Sequence, residues 1–171
     1  MEPVFREWGG VEQAFALDLG RIRELEDACG KTGVGAIFLR LGRHEHTVDD
    51  IYHTLRLGLI GGGMSQIEAR RVMTRHFDTT PYELSASVAL DVLTALYAGI
   101  DAVEGETGDP AEPLPFGEIG ANFLKAGVSP DILNRMDYAD FVQIMRALRD
   151  DVQPPSEDEY IQMLERLNND H

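Results

Sequence analysis

Basic residues are scarce in this chain: Lys and Arg together number 15 against 30 Asp and Glu, a formal charge of -15. A surface that grips phosphates needs the opposite sign, so nucleic acid is not an expected partner. An anionic membrane surface would repel the chain as well. Cysteine is nearly absent, and the lone Cys29 excludes a disulfide within the chain. Its apolar neighbours at helical spacing make it an expected core residue. Long hydrophobic runs are also missing. The longest, Leu84 to Ile100, is interrupted by Asp91 and falls short of the about 20 residues a membrane-spanning helix needs. Residues 1–10 carry Glu2 and Glu7 without an apolar run and do not read as a signal peptide. These features describe a cytoplasmic protein.

What is present is helical periodicity. Hydrophobic residues make up 43% of the 171, enough for a core. The segment Val11 to Leu17 has weak strand character. From Asp18, a plausible N-cap, the residues Leu19, Ile22, Leu25 and Cys29 recur at helical spacing, and Gly30 ends the run. A second helix is expected over 32–41, with Val34, Ile37, Phe38 and Leu41 on one face and Gly42 closing it. Thr47 caps a third, whose stripe is Val48, Ile51, Tyr52, Leu55 and Leu59, and Gly61-Gly62-Gly63 terminates it. Ser65-x-x-Glu68 and Thr80-x-x-Glu83 read as capping boxes, the second with Pro81 at the first helical position. The helix expected from Pro81 to about Ile100 is apolar nearly all round, as at the centre of a bundle. Asp91 is its one internal charge and is expected at a face edge or in a hydrogen bond.

Gly, Pro and acidic residues dominate 104–115, as in a linker. Beyond it, Phe116, Ile119, Phe123 and Leu124 share a face, and Ser129-Pro130 opens a short turn. Asp137 opens a helix with Tyr138, Phe141, Val142, Met145 and Leu148 inward. Ser156-x-x-Glu159 then caps a last helix. The expected fold is all-α, with at most one short N-terminal strand or hairpin. Its organisation is an N-terminal tail over 1–10, a helical bundle over 11–105, an acidic linker over 106–114 and a small helical unit over 115–171. The shorter part after residue 105 carries more of the negative charge.

Motifs for chemistry are weak. His44-Glu45-His46 lacks the i, i+4 spacing of a helical zinc site and reads as a polar loop. The triple glycine has no following lysine and no preceding strand, so no phosphate loop forms. Cys29 has no evident base, and Gly-x-Ser-x-Gly does not occur. No catalytic residue, metal or cofactor is expected. The C-terminal unit is too small to bury its aromatics alone. They pack on the first unit or meet a partner. The candidate partner-binding residues are therefore Phe116, Ile119, Phe123, Tyr138 and Phe141, with Ile51, Tyr52 and Leu55 in the first unit.

The succession Leu17-Asp18-Leu19 through Leu25-Glu26 to Gly30, then Ile37 to Leu41, Val48 to Ile51 and Leu55-Arg56-Leu57-Gly58-Leu59 resembles the tail assembly chaperones of gene transfer agents and related long-tailed phages. The later stretch, Phe116 to Ile119, Gly127-Val128-Ser129-Pro130 and Asp137 to Phe141, is similar to the second short chaperone encoded just downstream in such clusters. The resemblance implies two chaperone pieces joined in one chain, with 104–115 as the seam. It implies binding to the tape measure protein and recruitment of the tail tube protein, without ATP. It further implies action in the host cytoplasm and absence from the mature particle. Self-association as a homo-oligomer is a separate expectation, not part of the resemblance. The rival readings are a structural head–tail or tail component and an acidic DNA mimic.

Overall fold

The computed structural model describes residues 3–97, 111–125 and 127–150, the last four of these as backbone only. It is helical apart from one N-terminal hairpin, as expected. The order is β1 (Val4–Trp8), β2 (Val11–Phe15), α1 (Leu19–Ala28), α2 (Val34–Arg43), α3 (Val48–Gly61), α4 (Gln66–His76), α5 (Tyr82–Leu96), α6 (Phe116–Lys125), α7 (Pro130–Asn134) and α8 (Tyr138–Asp150). The chain divides into two compact units, Met1–Ala139 and Asp140–His171.

The N-terminal segment read as a tail is instead β1. It pairs antiparallel with β2 in the register Val4↔Phe15 to Trp8↔Val11. Gly9 and Gly10 form the two-residue turn with φ +68 and +80, the left-handed conformations such a turn requires. Trp8 and Phe15 are fully buried. The Trp8 indole N–H donates to Ser85 Oγ of α5 at 3.0 Å. Arg6 Nε donates to Asp91 Oδ2 at 2.8 Å, so Asp91 sits paired and half-exposed, as its place in an apolar helix demanded.

Helices α3 and α5 pack on each other at the centre. α3 also meets α1, α4 and β2, and α5 meets α2 and β1. Ile22, Leu25, Ile37, Ile51, Leu55 and Leu93 are fully buried. Each such side chain contributes ~1.5–3 kcal/mol.

The helix starts follow local chemistry. Ser65 and Glu68 form the expected capping box. Thr47 and Asp50 form another at α3, and Asp50, fully buried, also receives Arg40 Nη2 at 2.6 Å. At α5 the expected box does not form: Pro81 is the N-cap in an extended conformation without a side-chain bond, and Glu83 lies 3.8 Å from His44 Nδ1. α2 begins at Val34 and runs past Gly42 to Arg43. His44, with φ 58, takes the left-handed cap position, and its N–H reaches the Arg40 and Leu41 carbonyls. The triple glycine has a second task. A Cβ at Gly61 would overlap the Ala16 carbonyl, and one at Gly62 the Ala14 carbonyl, because β2 runs directly over the end of α3. The expected end of α5 near Ile100, most of the linker and the helix after Ser156 lie outside the described residues, as does the Leu148 side chain.

Candidate partner-binding surface

Most of the candidate binding residues are core. Ile51 and Leu55 are fully buried, and Ile119, Phe123 and Phe141 nearly so. Ile51, Leu55, Ile119 and Phe123 are not an exposed face, because each lies on the buried stripe of its helix. Tyr52, Phe116 and Tyr138 are half-buried. Tyr52 sets its ring edge-on to Phe77 at 5.1 Å. Tyr138 stands edge-on to Tyr97 at 5.6 Å, and Tyr97 in turn meets Phe38 at 5.0 Å. Burial and the neighbouring Tyr138 raise the Tyr97 pKa, so the Tyr97 phenol stays neutral. Exposed large apolar side chains include Phe5 on β1, Val11 on β2, Ile67 on α4, Tyr82 and Leu84 on α5, Leu124 on α6 and Ile132 on α7.

A second set of polar contacts runs along α1 and meets the start of α2. Glu26 of α1 is 3% exposed. Its Oε1 accepts the Val34 N–H at 2.9 Å and its Oε2 the Leu114 N–H at 3.1 Å. Burial nevertheless raises its pKa, which the two N–H donors pull back down and Asp27 pushes up. The Gly33 N–H donates to the Ala111 carbonyl at 3.1 Å. At α1, Asp18 caps the Arg21 N–H, and the Leu19 N–H donates to the Met136 carbonyl at 3.0 Å. The Arg23 guanidinium lies over the Phe116 ring, 5.8 Å from its centre. Both helix starts thus find acceptors in residues 111–136. Sequence reasoning passed over Glu26, Arg23 and Gly33. The legible signal was Glu26 itself, an acid one turn after Ile22 on the apolar stripe of α1.

Reactive groups are quiet. Cys29 is half-buried rather than core, with Sγ 3.8 Å from the Asp49 carbonyl oxygen. Burial and the adjacent Asp50 push its thiol up to about 12, so it stays protonated. His53 is lowered by burial and by Arg56 and is neutral at pH 7. His44 and His46 are 6.3 Å apart, and the His46 ring lies 5.6 Å from Tyr82. Among the described residues, no three or more His, Cys, Asp or Glu side chains are grouped to hold a metal ion.

Residues 4–99 match the family described as "Phage tail tube protein, GTA-gp10". The match spans more than half of the chain and covers β1 through α5. The chain belongs to this family. It is therefore a tail-related protein of phages or gene transfer agents, and its expected partners are other tail-assembly proteins. Among curated proteins and solved structures, none matches it. The family module comprises the hairpin and the first five helices, and its Glu26, Gly33 and Leu19 receive residues 111–136 from beyond the matched range. No helix among the described residues is long and apolar enough to cross a membrane.

Proposed function

We propose that this chain is a non-enzymatic tail assembly chaperone. It binds the tape measure protein, keeps it soluble and recruits tail tube subunits that then displace it. In this reading the chain unites two chaperone pieces, acts in the host cytoplasm and leaves before the particle is complete. The observation that carries it is the surface of the family module and its cover. The family module exposes large apolar side chains on several elements, Phe5 and Val11 on the hairpin, Leu39 on α2, Val48 on α3, Ile67 on α4 and Tyr82 and Leu84 on α5, which an amphipathic partner segment can engage. The charge of -15 favours solubility and opposes close stacking of identical copies. A second reading, a built-in tail component, is favoured by the family description itself, which names a tail tube protein.

The two readings separate in one experiment. The chain is co-expressed with the neighbouring tape measure and tail tube proteins and pulled down, and purified particles are probed for it. A soluble tape measure complex, with the chain missing from particles, is the expected result. Recovery of the chain as a stoichiometric part of the tail, with no tape measure complex, overturns the chaperone reading.

A further inference from the structure

Helix α4 is basic in an acidic chain. Arg70, Arg71 and Arg75 place three of the 15 basic residues within six positions, on a chain of net charge -15. Ala69 and Met73 are the buried side chains of α4, which packs on α3. Ile67, Arg70, Arg71, Thr74 and Arg75 follow the i, i+3, i+4, i+7, i+8 spacing of the opposite face, and all five are exposed. Ile67, at 75%, is the most exposed large apolar side chain among the described residues. The ion pairs among the described residues involve none of the three arginines. Glu68, the one carboxylate of α4, is engaged elsewhere: its Oε2 accepts the Ser65 O–H at 2.6 Å and the Ser65 N–H at 3.3 Å. The helix macrodipole accounts for Arg75 and His76 in the last turn. Arg70 and Arg71 stand in the middle of the helix, where it offers them nothing. Beside α4 lies a cleft of about 380 Å³, whose walls include Ala14, Leu59, Met64 and Val72 together with Arg71 and Glu68. Exposed apolar surface and positive charge without a partner therefore adjoin.

We infer that the outer face of α4 and the cleft beside it are a docking surface for an acidic amphipathic segment of a partner protein. Carboxylates of the segment pair with Arg70, Arg71 and Arg75, while its apolar side chains cover Ile67 and enter the cleft. Charge complementarity identifies the occupant. α4 is net +2, three arginines against Glu68, so the rest of the chain is net -17. An acidic segment is repelled elsewhere and attracted here. Charges more than about 8 Å away are largely screened at physiological salt, so the local arginines decide. A nucleic acid fits less well: three arginines neutralise few phosphates, and a phosphate backbone has nothing to set against Ile67 or the apolar cleft walls. The inference rests on the reading of the chain as a binding protein and names the chemistry of one partner.

The test uses the full chain with Arg70→Gln/Arg71→Gln/Arg75→Gln. These side chains are exposed and outside the ion pairs, so the fold should be kept, and a circular dichroism melt checks it. Arg43→Gln/Lys125→Gln/Arg135→Gln removes the same charge from exposed positions elsewhere, and Ile67→Ser probes the apolar contact alone. Binding of a fluorescent helical Leu/Glu peptide is followed by anisotropy at about 150 mM NaCl, beside polyglutamate and a single-stranded oligonucleotide of equal charge. The Leu/Glu peptide should bind wild type. Its affinity should fall at least tenfold in the α4 variant and at least threefold in Ile67→Ser, and should stay within twofold of wild type in the charge-matched control. Amide NMR shifts on binding should fall on α4 and the cleft. No binding to wild type, or equal binding to wild type and the α4 variant, overturns the inference. So does equally tight binding of polyglutamate or the oligonucleotide, which would mean attraction of any polyanion. Wild-type self-association in sedimentation that the α4 variant lacks would make a second copy the occupant and overturn it too. If the α4 variant unfolds, Ile67→Ser and the shift map decide. Peptide binding with a failed tape measure pull-down counts against the chaperone reading alone. A tape measure complex without peptide binding counts against this inference alone.

Discussion

Glu26 holds two backbone N–H groups, from Val34 and Leu114, while almost out of contact with water. Its ionised form is needed as a double acceptor and is disfavoured by burial, and burial is the larger influence. A carboxyl whose pKa is higher in the folded than in the unfolded chain binds its proton more tightly when folded. Its contribution to stability is therefore full below the ordinary value of 4.5 and is lost as pH rises through the folded value. Glu26→Gln does not titrate, and comparison with it cancels the other carboxylates. The unfolding free energy of the variant minus that of wild type should rise as pH increases from about 4.5 and level off above the raised pKa. Urea melts at several pH values measure this, and a difference that stays flat would refute the assignment.

At the scale of elements, the close approach of β2 to the end of α3 is the tightest constraint. The Ala16 N–H donates to the Gly58 carbonyl at 2.9 Å, and Gly61 and Gly62 have no room for a side chain. Gly61→Ala should lower stability by about 3 kcal/mol, since the obstructing atoms are backbone and cannot turn aside. Gly42→Ala is the contrast. It lies inside α2 with nothing near its missing Cβ, and should stabilise by about 0.5–1 kcal/mol. Denaturant midpoints of the two variants should move in opposite directions. The helices α1 to α5 were legible because their apolar residues recur at helical spacing and their starts carry Asp18, Thr47 and Ser65. β1 was not, because Val-Phe-Arg-Glu-Trp has a charged centre and no helical or clean alternating pattern. The signal available was Gly9-Gly10 between two short runs, which marks a two-residue hairpin turn. The failed box at Thr80 shows the limit of motif reading: Pro81 moved into the cap position, and the side chain of Glu83 lies toward His44 instead.

For the whole molecule, an excess of 15 acidic over basic groups makes self-repulsion a general feature of the folded state. The ion pairs among the described residues are mostly half-exposed, as at Arg21–Glu24 and Arg56–Glu24, so each is of modest worth. Screening should therefore help more than it harms. Raising NaCl from 50 to 500 mM should increase the Tm by a few degrees, and a fall would mean that the ion pairs dominate instead. The sequence by itself determined the charge, the helical class and the succession of helices from Leu19 to Leu96, because these depend on composition and on contacts between residues a turn apart. Only the tertiary structure decided that Ile51, Leu55, Ile119 and Phe123 are core and not surface, and that Trp8 closes the module. It also decided that Glu26 and the starts of α1 and α2 meet residues 111–136. An apolar stripe shows that a helix face seeks cover. What covers it is settled by residues distant in the chain, and no local pattern records that choice.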